Sequence, residues 1–187
     1  MAFLKRLFGF GKTAKPLKII ILGLDQAGKT SFLNYLRLQE FTNPVRTMGL
    51  NMEEVKVDGL KLDVLDLGGQ NQFRTTLWPK ILETGTDVVM YIVDSSDRER
   101  LMMNNEEFSK LIDHPRLISD KTPIIVLANK QDLGGCLSPG EISLELELIE
   151  HSLTGRSFQV IPTSMITGMG VDEVLQHLKV ISDKKNE

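Results

Sequence analysis

The chain has 187 residues, 41% of them hydrophobic and 25% charged, with a formal net charge of -3; this fits one globular domain with a real core and argues against nucleic acid as a partner. Its single cysteine, Cys136, excludes an internal disulfide framework and points to a reducing compartment. No apolar run reaches the ~18 residues of a membrane span, and the apolar part of "MAFLKRLFGFGK" is too short and interrupted for a secretory signal.

In chain order, residues 1–14 come first. On a helical wheel Phe3, Leu4, Leu7, Phe8 and Phe10 gather on one side, with Lys5, Arg6 and Lys12 mostly on the other. Such a short basic amphipathic helix suits a membrane interface; the alternative is a helix docked in a groove of its own domain. "LKIIILG" (17–23) reads as a buried strand, and 28–38 as a helix with Phe32, Leu33 and Leu36 on one side. "MEEVKVDGLKLDVLDL" reads as two strands joined by Asp58-Gly59, a strong hairpin dipeptide. "DVVMYIVD" (87–94) is another buried strand, followed by a charged helix from about 97 to 113. "PIIVLANK" (123–130) is a strand, and "SPGEISLELELI" opens a helix with Ser138, Pro139 and Glu141 as a capping box with proline at the first position. "SFQVIPTS" (157–164) gives the last strand and "VDEVLQHLKVI" the last helix. Apolar strands alternating with helices predict an α/β fold: a mostly parallel six-stranded sheet covered on both faces, with one antiparallel edge strand from the hairpin. The expected organisation is an N-terminal helix and linker (1–14), one domain (15–183) and a frayed tail (184–187).

The stretch "GLDQAGKT", Gly23 to Thr30, falls between a strand and a helix and fits GxxxxGKT. Its glycines let backbone wrap an anion. The N–H groups of Asp25, Gln26, Ala27, Gly28, Lys29, Thr30 and Ser31, with the positive helix end, suit α- and β-phosphates. Lys29 reaches the β- and γ-phosphates, and the Thr30 hydroxyl suits Mg2+, which wants oxygen ligands. "NKQD", Asn129 to Asp132, stands at the C-terminal end of a predicted strand, where open α/β sheets bind ligands. The Asp132 carboxylate can accept from guanine N1–H and the 2-amino group, which adenine lacks. Asn129 serves the purine edge or ties loops together, and the Lys130 stem can lie along the ring.

These motifs, with "TMGLN" (47–51), "DLGGQ" (66–70), "VDSSDRER" (93–100), "ANKQDL" (128–133) and "TSMITGMG" (163–170), make the chain resemble the small GTPases, and among them the ADP-ribosylation factor (Arf) and Arf-like branch. The resemblance spans nearly the whole chain and implies a P-loop NTPase G domain that binds GTP or GDP with Mg2+. It implies that Thr47 is the switch I threonine, meeting Mg2+ and the γ-phosphate, and that Asp66 holds Mg2+ through a water. Gly69 would offer its N–H to the γ-phosphate, and Gln70 would orient the attacking water. Ser164 and the Met165 N–H would support the guanine. The metal set is thus Thr30, Thr47 and, through water, Asp66; the catalytic residue is Gln70.

The resemblance also implies a switch, because Thr47 and Gly69 meet the γ-phosphate only while it exists. In Arf proteins the hairpin between them slides and expels an N-terminal helix onto membrane. A cytoplasmic protein with reversible peripheral membrane attachment follows, served by a GTPase-activating protein, an exchange factor and an effector at the switches. The alternative is a GTP-binding scaffold with negligible hydrolysis. Position 2 is alanine, so N-myristoylation is not expected. The chain departs from the Arf pattern at Arg46 (proline), Leu50 (aromatic), Leu65 (tryptophan) and Met165 (alanine), and "RTTLW" (74–78) is one residue longer than "RPLW". His114, His151 and His177 have no metal spacing, and Cys136 reads as a surface thiol. Trp78 is either core or part of a partner patch near switch II.

Overall fold

Leu17–Leu22 forms β1, whose aliphatic side chains alternate between two buried faces. Ile19 and Ile21 enter one core; Ile20 and Leu22 enter the other. A computed structural model describes residues 15–44, 47–152 and 158–186; the expected N-terminal helix and Arg46 lie outside them. β1 sits inside a six-stranded sheet of order β2-β3-β1-β4-β5-β6. The other strands are β2 (Leu50–Val57), β3 (Leu60–Leu67), β4 (Val88–Asp94), β5 (Ile124–Asn129) and β6 (Phe158–Pro162). β2 runs antiparallel to β3 at the edge, and every other pairing is parallel. Asp58 (φ 47°) and Gly59 (φ 79°) both take positive φ in the two-residue turn between β2 and β3, matching the right-handed strand twist.

On one face, α1 (Lys29–Leu38) packs Phe32, Leu33 and Leu36 beside Val174 and Leu178 of α8 (Val171–Asn186). The other face is covered by α4 (Leu101–Ile112), through Phe108 and Leu111, with Leu117 of α5 (Pro115–Ser119) and Ile142 of α6 (Pro139–Glu145). The Ser138 capping box forms: its Oγ accepts the Glu141 N–H at 3.2 Å, and its own N–H donates to Glu141 Oε2 at 2.8 Å.

Three features differ from the sequence expectation. The charged helix begins as a 3-10 turn, Arg98–Arg100, before α4. Short helices α2 (Asn71–Thr76), α3 (Trp78–Leu82) and α7 (Leu148–Ser152) were not foreseen, nor was α5. The tail expected to fray continues α8 through Asn186. Lys185 Nζ donates to the Pro16 carbonyl at 2.8 Å and pairs with Asp87 at 2.6 Å, and the Lys15 N–H donates to Asn186 Oδ1 at 3.1 Å, so the last turn is stitched to the start of β1.

The parallel strands end on one side of the sheet. The loops after β1, β3, β5 and β6 meet there, which brings four of the quoted motifs together.

Candidate functional site

One cleft of about 490 Å³ lies over those strand ends, within the range of small-molecule sites. Its floor is the loop from Gly23 to Gly28. A β-carbon at Gly23 (φ 139°) would stand 2.2 Å from the Ile92 carbonyl oxygen, and one at Gly28 (φ 102°) would stand 2.2 Å from Asn129 Nδ2. Only glycine fits either place. α1 then starts with no side chain capping its first turn, and Gly28, Lys29, Thr30 and Ser31 line the cleft. Uncapped N–H groups at a helix N-terminus attract an anion.

Lys29 is buried, and its ammonium donates to the carbonyls of Gly23 at 3.0 Å and Leu24 at 2.7 Å. Burial lowers its pKa to about 8, against the opposing pull of the Asp66 and Asp25 carboxylates. A bound polyphosphate needs the ammonium protonated. Above the free-protein pKa each binding event must also take up a proton, so affinity falls as pH rises. GTP binding followed by calorimetry should therefore weaken about tenfold between about pH 7 and about pH 9. A flat profile would separate Lys29 from phosphate binding.

Thr30, Thr47 and Asp66 come from α1, a loop and β3, yet converge. Thr30 Oγ1 lies 2.7 Å from Thr47 Oγ1 and donates to Asp66 Oδ2 at 2.7 Å; Thr47 Oγ1 reaches the same carboxylate oxygen at 3.2 Å. Asp66 Oδ1 is buried with no hydrogen-bond partner among the described residues. Burial raises the Asp66 pKa, opposed by the Thr30 hydrogen bond and the Lys29 charge. An all-oxygen corner with an orphaned carboxylate oxygen fits a hard divalent cation such as Mg2+.

Gly69 is wedged against the loop floor: a β-carbon there would stand 2.3 Å from the Asp25 nitrogen and the Leu24 carbonyl carbon. The Gly68 N–H donates to the Gly49 carbonyl at 2.8 Å, tying the segment after β3 to the start of β2. Gln70, half-buried, lines the cleft beside Gly68 and Gly69. Asp25 also pairs with Arg100 at 3.0 Å, and Arg100 pairs with Asp97 at 2.5 Å.

At the other end, buried Asn129 ties loops: its Nδ2 donates to the Ala27 carbonyl at 2.8 Å, and its Oδ1 accepts from Thr163 Oγ1 at 3.2 Å. Lys130 Nζ is anchored on Asp94 Oδ2 at 2.5 Å. Ser164 Oγ donates to Asp132 Oδ1 at 2.6 Å, which orients that exposed carboxylate at the cleft. The cleft is also lined by Met165 and by Phe41, Pro44, Leu133 and Ile166, which sequence reasoning missed. Leu133 and Ile166 adjoin the quoted polar loops, and apolar side chains in such loops were the available signal. Gln26 lines the cleft as well; Ala27 is buried beneath it. Trp78, left open between core and patch, is core, 4% exposed. Met48, Leu50 and Met52 are exposed where the Arf pattern has an aromatic at Leu50. No helix among the described residues is long and apolar enough to cross a membrane.

A family model described as the ADP-ribosylation factor family matches residues 3–181. ADP-ribosylation factor-like protein 1 of Caenorhabditis elegans is 37% identical over 178 residues, 95% of this chain and 93% of that protein. Its Saccharomyces cerevisiae namesake is 39% identical over 164 residues, 88% of this chain and 86% of that protein. Among solved structures, the Arl6 BBS3 small GTPase of Trypanosoma brucei with bound nucleotide analogue GppNp matches with a TM-score of 0.78 at 27% identity, covering 91% of this chain and 99% of that one.

Proposed function

The chain belongs to the ADP-ribosylation factor family of small GTPases, and from that premise we propose that it is a GTP-binding switch with slow Mg2+-dependent hydrolysis, attached reversibly to membrane through residues 1–14 in its GTP state. The observation that carries the reading is a cleft lined by the loop and helix start at residues 25–31, by Thr30 and Thr47 with buried Asp66 behind them, by Gln70 and by the oriented Asp132 carboxylate.

In this reading the first turn of α1 and Lys29 hold the phosphates. Thr30, Thr47 and, through a water, Asp66 would hold Mg2+, which would neutralise charge on the phosphate oxygens. The Gly69 N–H meets the γ-phosphate, and Gln70 orients water. Asp132, aligned by Ser164, selects guanine; Met165 supplies a backbone N–H, and Lys130, anchored on Asp94, covers the ring. Loss of the γ-phosphate removes the contacts of Thr47 and Gly69, and the two segments relax. An activating protein, an exchange factor and an effector at the exposed Met48–Met52 surface complete the cycle. A single amphipathic segment this short attaches weakly and reversibly, which suits a cytoplasmic protein that cycles on and off membrane.

The test is vesicle co-sedimentation of the full chain with GDP, a non-hydrolysable GTP analogue or its ATP counterpart. Sedimentation with the GTP analogue alone is expected, and deletion of residues 1–12 should abolish it. Equal sedimentation in all three states, or none, would reject nucleotide-controlled attachment.

A further inference from the structure

Arg74 is a charged residue in a short surface helix, yet its side chain is only 6% exposed. Its Nη1 donates to the Gly69 carbonyl at 2.6 Å, and its Nη2 reaches Asn71 Oδ1 and Met103 Sδ, each at 3.5 Å. Its Nε faces Glu107 Oε2 at 3.5 Å, and that glutamate, on α4, is 10% exposed. Glu107 is held in turn by Lys110 at 2.9 Å. Four residues further on, Trp78 Nε1 donates to the Gly68 carbonyl at 3.2 Å.

Both peptides flanking Gly69 are therefore fixed by side chains. A trans peptide is planar, with its N–H opposite its C=O. Trp78, by holding the Gly68 oxygen, aims the Gly69 N–H the other way. Arg74, by holding the Gly69 oxygen, sets the Gly69–Gln70 peptide and so the point from which the Gln70 side chain leaves. Glycine has no intrinsic preference to supply this orientation, so the donors must. Arg74 can do so only while a counter-charge keeps it buried, since an unpaired buried guanidinium would leave for water.

We infer that Glu107, through Arg74, is a positioning residue for Gly69 and Gln70: the pair links α4 to the end of the cleft where the γ-phosphate sits and makes the protein discriminate triphosphate from diphosphate. The inference rests on the GTP-switch reading and adds residues to it. Neither side chain lines the cleft, so the nucleoside, the α-phosphate and the β-phosphate have nothing to lose when the pair is broken.

The experiment compares GDP and a non-hydrolysable GTP analogue on wild type, Glu107→Gln and Arg74→Met, by calorimetry and by the fluorescence of Trp78, the sole tryptophan. Removing the buried counter-charge, or the guanidinium that donates to the Gly69 carbonyl, should weaken the GTP analogue about tenfold to a hundredfold while GDP affinity holds. Because Trp78 holds the Gly68 carbonyl, its fluorescence should differ between the two nucleotide states in wild type, and that difference should shrink in the variants. GDP binding doubles as the folding control. Equal loss of both nucleotides means a merely structural pair and overturns the inference, as does an unchanged ratio. If wild type binds neither nucleotide, the GTP-switch reading itself fails; if it binds both and the variants keep its ratio, only the positioning role fails.

Discussion

Replacing Asp132 by asparagine should cost the protein about a hundredfold to ten-thousandfold in GTP affinity and leave the weak ATP binding expected of it unchanged. The carboxylate presents two acceptors, one steadied by Ser164 Oγ at 2.6 Å. Guanine offers two donors on one edge, N1–H and the 2-amino group. Charge-assisted hydrogen bonds of this kind are worth roughly 1.5–3 kcal/mol each. The asparagine variant keeps one acceptor and turns the other into a donor facing a donor. It thereby complements xanthine, whose 2-oxo group accepts where guanine donates. Calorimetry with GTP, ATP and xanthosine triphosphate in Mg2+ checks this. The expected pattern is GTP alone for wild type, and xanthosine triphosphate above GTP for Asp132→Asn. Wild type that holds ATP as tightly as GTP, or a variant that keeps the guanine preference, removes Asp132 from base selection.

The place of Asp132 at the cleft was legible because its motif is short, continuous in sequence and set at a strand end. The same holds for "GLDQAGKT", whose glycines answer to a curl that any β-carbon would block, and for Asp58-Gly59, which turns the β2–β3 hairpin. The strands were legible because apolar runs bounded by polar loops leave one architecture open. The illegible parts depend on partners far away in sequence. Nothing near Arg74 forecasts burial, since its counter-charge Glu107 lies on another element. Arg100 and Asp25 are 75 residues apart and still meet. Asn129 could be assigned between base and loop only once Ala27 and Thr163 were beside it. The five- and six-residue helices are too short for periodicity to register and too short to stand without packing. The tail's polar sequence reads as solvated, but contacts to Lys15, Pro16 and Asp87 tie its last turn to residues far away in sequence.

Gln70→Leu should slow single-turnover GTP hydrolysis about tenfold to a hundredfold, toward the low end of what a positioned proton-transfer or water-orienting group supplies, with GTP affinity nearly unchanged. Leucine keeps the volume and loses the amide that orients water; the backbone role of residue 70, whose carbonyl accepts from the Phe73 and Arg74 N–H groups, survives. The wild-type rate should already be low. Phosphoryl transfer is governed by charge placed on the transferring group. Around this cleft Arg100 is engaged by Asp25 and Asp97, Arg74 by Gly69 and Glu107, and Lys130 by Asp94; Lys29 is the cation held against the phosphate loop. An arginine delivered by an activating protein would be worth about 10^3 to 10^5 in rate. The same assay separates the switch from a scaffold that barely hydrolyses. A purified protein carrying GDP, with a wild-type rate that falls in the variant, is the switch. A protein that retains GTP and turns over no faster with Gln70 than with leucine is the scaffold, and Gln70 is then a glutamine at the lip of the cleft with no part in the chemistry.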